Sequence, residues 1–577
     1  MQGNSPSSKK LMFLTMFMLM LGCPSLGVWN AVGQVEADER LLRIGTEDSL
    51  TKVFCDEPFR GNIDGALQLR LARGEYEAGQ LVLIVGSHRI EKVRLECTDL
   101  VHENGRDKIE QKHVQLNFVG YTAPTAIRSQ QVLKNRNLKL PKPKRYPDPL
   151  LLDHTITLEP RTVQPVWVTV FAPPDAVPGG YSATITIYSG KRSIGMAKLQ
   201  VHVWDFKLPD MVPLYVWYYN DFNRFARNWL GVTPDDWDRY KLAFRHYVRE
   251  IVRHHGSIAL PLSYKAGRRF EEIMRIMTEE GCRYWWVTWF WHHSAYVNQP
   301  EEEQRRIARH VYDYMKAHGW LEATFFVTWD EPDLRPELKE NRIKWERHIR
   351  VLKEIGFPRI QVEMTWRCAK ATDFMEPYPT VWNPQFSYFE REYFYDFLQK
   401  QRREGDIIGF YLTGSGRGTE PRHYITYPLT DMRRLFYYMW HHGLSLVEFW
   451  ALDITWRKKG KDPFTMIVKG DGYGGGTSAL IYPNLRKDLT RPFLSSLRFE
   501  AIRDGIEDYY YLWLLAQLIK SKQAQGDRES AEMGKRLLEE ISAKFGKHLR
   551  DYQLNNPDDY MRARRKLAEM ILYLKSH

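Results

Sequence analysis

Two adjacent acids, Asp330 and Glu331, end the run Phe325-Phe326-Val327-Thr328-Trp329 and are followed by Pro332. The β-branched and aromatic run reads as a buried strand. The proline ends it, because proline cannot donate to a sheet ladder. Carboxylates at the mouth of a buried strand cost desolvation free energy unless they have work to do. At the carboxyl ends of the strands of a parallel α/β barrel, where active sites are built, paired carboxylates are the working groups of glycosidases. The competing reading makes Asp330 the cap of the next helix and Glu331 a solvated loop acid.

Four aromatic residues, Trp366, Trp382, Tyr411 and Trp450, lie at or near the ends of further apolar runs. Any one of them alone reads as core. Four on one rim, in the layer of Asp330 and Glu331, read as a sugar-binding pocket whose rings stack on pyranose faces. Other motifs carry less. Gly414-Ser415-Gly416-Arg417-Gly418 and Gly474-Gly475-Gly476 are neither a dinucleotide fingerprint nor a phosphate loop and read as flexible loops. The pairs His254-His255, His292-His293 and His441-His442 are adjacent, so their side chains diverge, and no H-E-x-x-H is present. Neither a metal nor a cofactor is expected.

The elements that would position these residues change character along the chain. From Leu41 to about Pro209, short alternating runs such as residues 80–85, 166–171 and 181–187 are separated by turn clusters such as Pro173-Pro174-Asp175 and Pro178-Gly179-Gly180. This pattern predicts a β-sandwich over 41–209. Beyond Pro213, apolar runs alternate with amphipathic stretches. Expected strands are 214–219, 258–262, 285–290, 325–329, 360–366, 380–382, 407–412 and 446–451; expected helices include 236–253, 301–317, 337–354 and 430–442. Eight strands with mostly helical crossovers predict a (β/α)8 barrel over 210–525, with Asp330 and Glu331 ending the fourth strand. An open doubly wound sheet is the alternative, although no Gly-rich turn follows the first strand. A short extended run at 480–483, a long helix from Phe493 to about Lys522, and a Lys/Glu/Leu-rich helical tail over 526–577 complete the chain.

Composition narrows the class. The 577 residues are 43% hydrophobic and 27% charged, which is ordinary for a soluble protein of two or three domains. Aromatics are in excess at 14%, with 19 Trp, 32 Tyr and 27 Phe, which suits a carbohydrate-handling protein. The net charge of +12 is dispersed, apart from a proline-flanked cluster over 134–145 that reads as a solvated loop. No nucleic-acid partner is expected. Lys9 and Lys10 followed by the apolar run 11–21 read as a signal peptide over 1–33, too short to span a bilayer comfortably. Two processing readings compete: cleavage after Ala31-Val32-Gly33, which is favoured, or an imperfect lipobox, Met20-Leu21-Gly22-Cys23, that would place a lipid anchor on Cys23. Membrane association is expected only in the second case. The protein is therefore expected to be secreted, periplasmic or at the cell surface. Cys55, Cys97, Cys282 and Cys368 form no disulfide framework; Cys55 and Cys97 share a predicted domain and could bridge, but two separate buried thiols are favoured.

Several segments together resemble glycoside hydrolase family 123 and the broader set of sequences related to it. The segment Pro492 to Tyr509 is similar to the family signature S-x-R-x-E-x-x-R-D-G-x-E-D-Y. Asp330-Glu331-Pro332 resembles its carboxylate pair. Tyr427-Pro428 through Arg433-Arg434, then Trp440 and Trp450, resemble its late-barrel pattern, and residues 72–77 and 178–181 its N-terminal domain. The resemblance implies a β-sandwich joined to a (β/α)8 barrel and β-N-acetylgalactosaminidase activity on a glycan or glycoconjugate. It also implies retaining, substrate-assisted catalysis, with Glu331 as general acid/base and Asp330 orienting the 2-acetamido group. Glu331 must then carry a proton, so its pocket should disfavour ionisation. Arg503, Asp504, Glu507 and Asp508, dense enough to look catalytic, are read as structural ion pairs at helical spacing. Two other functions stay open: a non-catalytic carbohydrate-binding surface protein, and a glycosidase of the same fold acting on a different sugar.

Overall fold

Strand Leu67–Arg73 buries Leu67, Leu69 and Leu71 and exposes Gln68 and Arg70. That two-residue period is the local rule throughout the first part of the chain. The computed structural model describes residues 41–123, 145–291, 294–331, 338–365, 378–389, 392–413, 421–460, 462–469, 475–548 and 554–577. The expectations for the N-terminal segment and Cys23, most of the basic cluster, His292-His293, Trp366, Cys368, and the loop at 414–418 lie outside them. Residues 40–577 form one compact unit.

Two sheets enclose a common apolar core. In the six-stranded sheet the neighbours run Asn62–Ile63, Leu42–Asp48, Tyr76–Val85, Val163–Phe171, Val114–Thr122 and Tyr146–Leu150. The main path of the second sheet runs Ile156–Leu158, Ile90–Cys97, Gly179–Ser189, Arg192–Lys207 and Leu67–Arg73. Its last pair is parallel. Leu81, Leu83, Val166 and Val168 from one sheet meet Leu69, Ile185, Leu199 and Val201 from the other. Cys55, Cys97 and Cys282 are free thiols; Cys55 and Cys97 are half-buried rather than buried.

The helix-rich part that follows is built on seven parallel strands. Their neighbour order is Tyr215–Tyr218, Leu446–Phe449, Ile407–Leu412, Val381–Pro384, Ile360–Met364, Thr324–Asp330 and Trp285–Val287. The two edges are nearly closed upon each other. Between them, the segment expected as strand 258–262 makes only isolated bridges, at Ser257 and Ala259. Ser257 N donates to Val216 O at 2.9 Å on one side, and Leu260 N donates to Trp286 O at 3.0 Å on the other. Side chains from alternate positions fill the interior: Trp217 stacks on Trp286 with ring centroids 5.1 Å apart, and Trp286 on Phe325 at 4.7 Å. Part of the aromatic excess is therefore barrel filling, not sugar contact.

Helices Trp237–Arg253, Glu301–Ala317, Leu338–Ile355 and Thr430–His441 fall where the 3.6-residue period places them. Helix Leu497–Ala524 starts four residues later than expected and is capped by Ser496, whose hydroxyl accepts from Phe499 N at 3.2 Å. Its Gly505 permits a close helix crossing, since a Cβ there would lie 2.9 Å from Met432 O and 3.0 Å from Arg433 Cα. The C-terminal helices Arg528–Gly546 and Pro557–Ser576 pack against it.

A buried ion network ties these parts together. Arg433 makes a bidentate pair with Asp508, at 2.7 and 2.6 Å. Arg564, on the last helix, reaches Asp508 at 2.7 Å and Glu75 and Glu77 on the N-terminal side at 2.8 Å each. Burial disfavours the charge on Arg564, but the Asp508, Glu75 and Glu77 carboxylates hold its guanidinium well above the usual range. The spacing suggested an Arg503–Glu507 pair; instead Arg503 bonds Glu500 at 2.7 Å, while Glu507 lies 3.1 Å from His255 Nε2. The helix is buried on several sides, so partners from other elements displace the one four residues on.

Candidate active site

Strict alternation along Thr324–Asp330 would turn Phe325, Val327 and Trp329 inward and leave Asp330 outside. The strand departs from it. Phe326 pairs with Ile360 and Val327 with Gln361, but Trp329 pairs with Val362 and Asp330 with Glu363, so one extra residue, Thr328, is accommodated as a bulge. Such a bulge re-aims every side chain beyond it. Trp329 packs outward on Trp345, at 6.1 Å between centroids, and Asp330 takes its place beside Glu363. Glu331 follows at φ +51°, a left-handed conformation costly for a non-glycine residue. Its backbone N–H donates to Glu363 O at 2.9 Å, and its Oε1 accepts from Tyr411 Oη at 2.5 Å. Both acids thus serve one interior, although a regular strand would part them.

Two further acids line the same wall. Glu363 and Glu448 are 7% and 2% exposed. Asn383, on the intervening strand Val381–Pro384, donates to Glu448 Oε2 at 2.6 Å. Burial first, and then repulsion from neighbouring carboxylates, hold the Glu363 carboxyl well above the usual range. Burial raises Glu448 similarly, against the opposing effect of the Asn383 amide. Tyr411 is buried, and burial with the nearby Glu331 carboxylate raises its phenol.

The predicted aromatic rim is only partly assembled. Tyr411 faces the acids. Trp450 is half-buried and packs on Tyr219 at 4.6 Å. Trp366 lies outside the described residues. Trp382 is corrected: it is fully buried on the helix side, its indole N–H donates to Asp406 Oδ2 at 2.8 Å, and its ring packs on Phe397 at 5.2 Å. The strand runs on to Pro384, so Asn383 is the inward residue and Trp382 must turn out.

Glu363, Glu448 and Asn383 did not figure in the sequence analysis. The signal for the two glutamates was a lone acid inside a mainly apolar strand, in Ile360-Gln361-Val362-Glu363-Met364 and Leu446-Val447-Glu448-Phe449. The described histidine pairs have structural partners: His254 lies 3.1 Å from Glu500, His441 2.9 Å from Ser542 Oγ, and His442 Nδ1 2.8 Å from Tyr395 Oη. A separate cleft of about 390 Å³, lined by Glu47, Arg70, Trp204 and Asp558, includes none of the site residues.

Comparison with known families gives two matches. Residues 65–189 match the glycoside hydrolase 123 N-terminal domain, and residues 270–515 the glycoside hydrolase 123 catalytic domain. Among solved structures, a family 123 glycoside hydrolase from Clostridium perfringens, studied for glycolipid glycan hydrolysis, is similar over 92% of this chain and 98% of its own. The TM-score is 0.68 at 13% identity, a likeness of fold. A Bacteroides ovatus family 5 xyloglucanase (TM-score 0.30, 10% identity, 77% of this chain and 98% of its own) and a family 39 glycoside hydrolase from Bacteroides cellulosilyticus (0.32, 9%, 76% and 81%) are too distant in shape to carry an argument. A comparison with curated protein sequences returned no match. Together the two domain matches, which cover more than half of the chain, define a glycoside hydrolase. The chain belongs to glycoside hydrolase family 123.

Proposed function

We propose that this glycoside hydrolase releases β-linked N-acetylgalactosamine from a glycan or glycoconjugate, with retention, by substrate-assisted catalysis. In this reading the seven parallel strands and residues 257–260 act as the staves of a (β/α)8 barrel, with the reaction at the carboxyl ends of its strands. One observation carries the proposal: a bulge and a left-handed residue bring Asp330 and Glu331, adjacent in sequence, into one interior. The two roles need that proximity. Glu331 gives its proton to the glycosidic oxygen as the C1–O bond breaks. The substrate's acetamido oxygen forms the new bond to C1, giving an oxazolinium ion. Asp330 accepts the acetamido N–H and offsets the developing positive charge. Water then attacks C1, its proton passes to the Glu331 carboxylate, and the acetamido group is restored. No protein nucleophile is required, so the usual spacing between two carboxylates does not apply.

Tyr411 and Trp450 form walls of the sugar pocket in this reading. Export follows from the Lys9-Lys10 and 11–21 pattern, with release after Gly33 favoured over a lipid on Cys23.

The test is a panel of aryl β-glycosides with and without the 2-acetamido group, for the wild type and Glu331→Gln. Turnover confined to 2-acetamido sugars is expected. Glu331→Gln should lower it by about 10²–10⁴-fold for poor leaving groups and less for activated ones. Equal turnover of sugars lacking the acetamido group overturns the mechanism. Equal turnover of a natural glycan by wild type and variant removes Glu331 from it.

A further inference from the structure

We propose that Glu363 is a positioning residue for Asp330: it stands in the barrel wall as a neutral carboxylic acid and donates a hydrogen bond to the Asp330 carboxylate, fixing it toward the substrate's amide. This rests on the reading of Asp330 as the residue that orients the acetamido group.

Four observations support it. Asp330 and Glu363 are register partners in the parallel ladder, so their side chains stand beside each other on the inner face. The backbone bond from Glu331 N to Glu363 O fixes the two strands at that level. Glu363 is the more buried of the two, at 7% exposure, whereas Asp330 is half-buried. Glu363 Oε1 is also buried without a hydrogen-bond partner among the described residues. An ionised carboxylate left so would be costly, whereas the carbonyl oxygen of a neutral acid is tolerated far more easily.

Among the described residues, the titratable groups near Glu363 are Asp330 and Glu331, Glu448 on the same wall, and the phenols of Tyr219 and Tyr411. Two carboxyl groups side by side on neighbouring strands, closed in among further acids, do not both ionise. The proton rests on the deeper one, which leaves the charge on the group nearer the substrate. Seating the proton on Asp330 instead would remove the negative charge from the group that accepts the acetamido N–H.

Two variants test this. Glu363→Gln keeps a donor and cannot ionise; Glu363→Met keeps the length and has no donor. On an aryl 2-acetamido glycoside, Glu363→Gln should stay within about threefold of wild-type kcat, and Glu363→Met should lose about ten- to a hundredfold with KM changed less. The kcat/KM–pH profile of Glu363→Gln should keep its alkaline limb or extend it. Infrared difference spectra of wild type against Glu363→Gln at neutral pH should show one protonated-carboxyl band lost. A Glu363→Gln variant as impaired as Glu363→Met, a Glu363→Met variant equal to wild type, or an unchanged carboxyl band each overturns the proposal. If Glu363→Met does not fold, the pH profile and the infrared band of Glu363→Gln still decide. A wild type inactive on every 2-acetamido sugar would overturn the activity reading alone, because the infrared band does not depend on substrate.

Discussion

Tyr411 Oη donates to Glu331 Oε1 at 2.5 Å from a strand that is not adjacent to the one carrying Glu331. The bond crosses the interior, so it fixes the carboxyl in space instead of only along its own strand. Tyr411→Phe keeps the ring and its packing and removes the hydroxyl alone. A hydrogen bond to an ionisable group contributes about 1.5–3 kcal/mol, so kcat should fall about ten- to a hundredfold while KM moves less. Steady-state kinetics at several pH values check this; an unchanged kcat would mean that Glu331 is held by other contacts.

Trp382 and Trp450 make opposite predictions. Trp382 is closed in behind the sheet and bonded to Asp406, so Trp382→Phe should lower the melting temperature and leave KM near the wild-type value. Trp450, half-buried against Tyr219, should raise KM when replaced by Ala, with a smaller effect on stability. Parallel melting curves and kinetics separate the two. A KM effect from Trp382→Phe would return that residue to the sugar pocket.

Arg564 sits 3% exposed among Asp508, Glu75 and Glu77. Arg564→Met removes the cation that pairs Glu75 and Glu77, while Asp508 keeps its pair with Arg433, and should cost about 3–5 kcal/mol. Chemical denaturation reads the loss. A variant as stable as the wild type would show that the network contributes to recognition of the fold and not to its stability.

Asp453 provides a pH signature away from the reacting groups. It is buried and accepts from Asp221 N at 2.7 Å and Tyr247 Oη at 2.8 Å. Burial pushes its carboxyl up from 3.8 to about 7, against the opposing effect of those two donors. A carboxyl raised in the folded state binds its proton more tightly there than in the unfolded chain. Its contribution is therefore full in acid and is lost as pH rises from about 4 to about 7. Asp453→Asn stays neutral and should flatten the fall of melting temperature across that window. An unchanged slope would mean that Asp453 is ionised in the fold.

Much of this architecture was legible in the sequence because it obeys simple periods. The run Ile407–Leu412 and the helix Glu301–Ala317 fall at the expected residues. What escaped was what periods do not encode. The segment 258–262 is apolar enough for a strand, yet only Ser257 and Ala259 make bridges. The bulge at Thr328 decides that Asp330 and not Trp329 faces inward, and nothing in Val327-Thr328-Trp329 announces it. Glu363 and Glu448 were accessible to the same desolvation argument that singled out Asp330 and Glu331, but a lone acid in a strand is a fainter signal than a pair.

The role of the substrate's own amide can be isolated. If the acetamido oxygen is the nucleophile, a thiazoline mimic of the oxazolinium should inhibit strongly, because it resembles an intermediate that the site stabilises. Asp330→Asn should weaken that inhibition more than it weakens binding of the plain sugar, since the carboxylate's charge matters most when the bound ring is cationic. The difference should exceed about tenfold, the effect of some 1.4 kcal/mol. Inhibition constants for the thiazoline and for N-acetylgalactosamine, on wild type and variant, give the comparison. The opposite outcome is equally clear. Indifference to the thiazoline, with a 2-fluoro glycoside labelling a side-chain carboxylate, would mean a protein nucleophile. Glu363 and Glu448, the other acids of this interior, would then be the first places to look for the label.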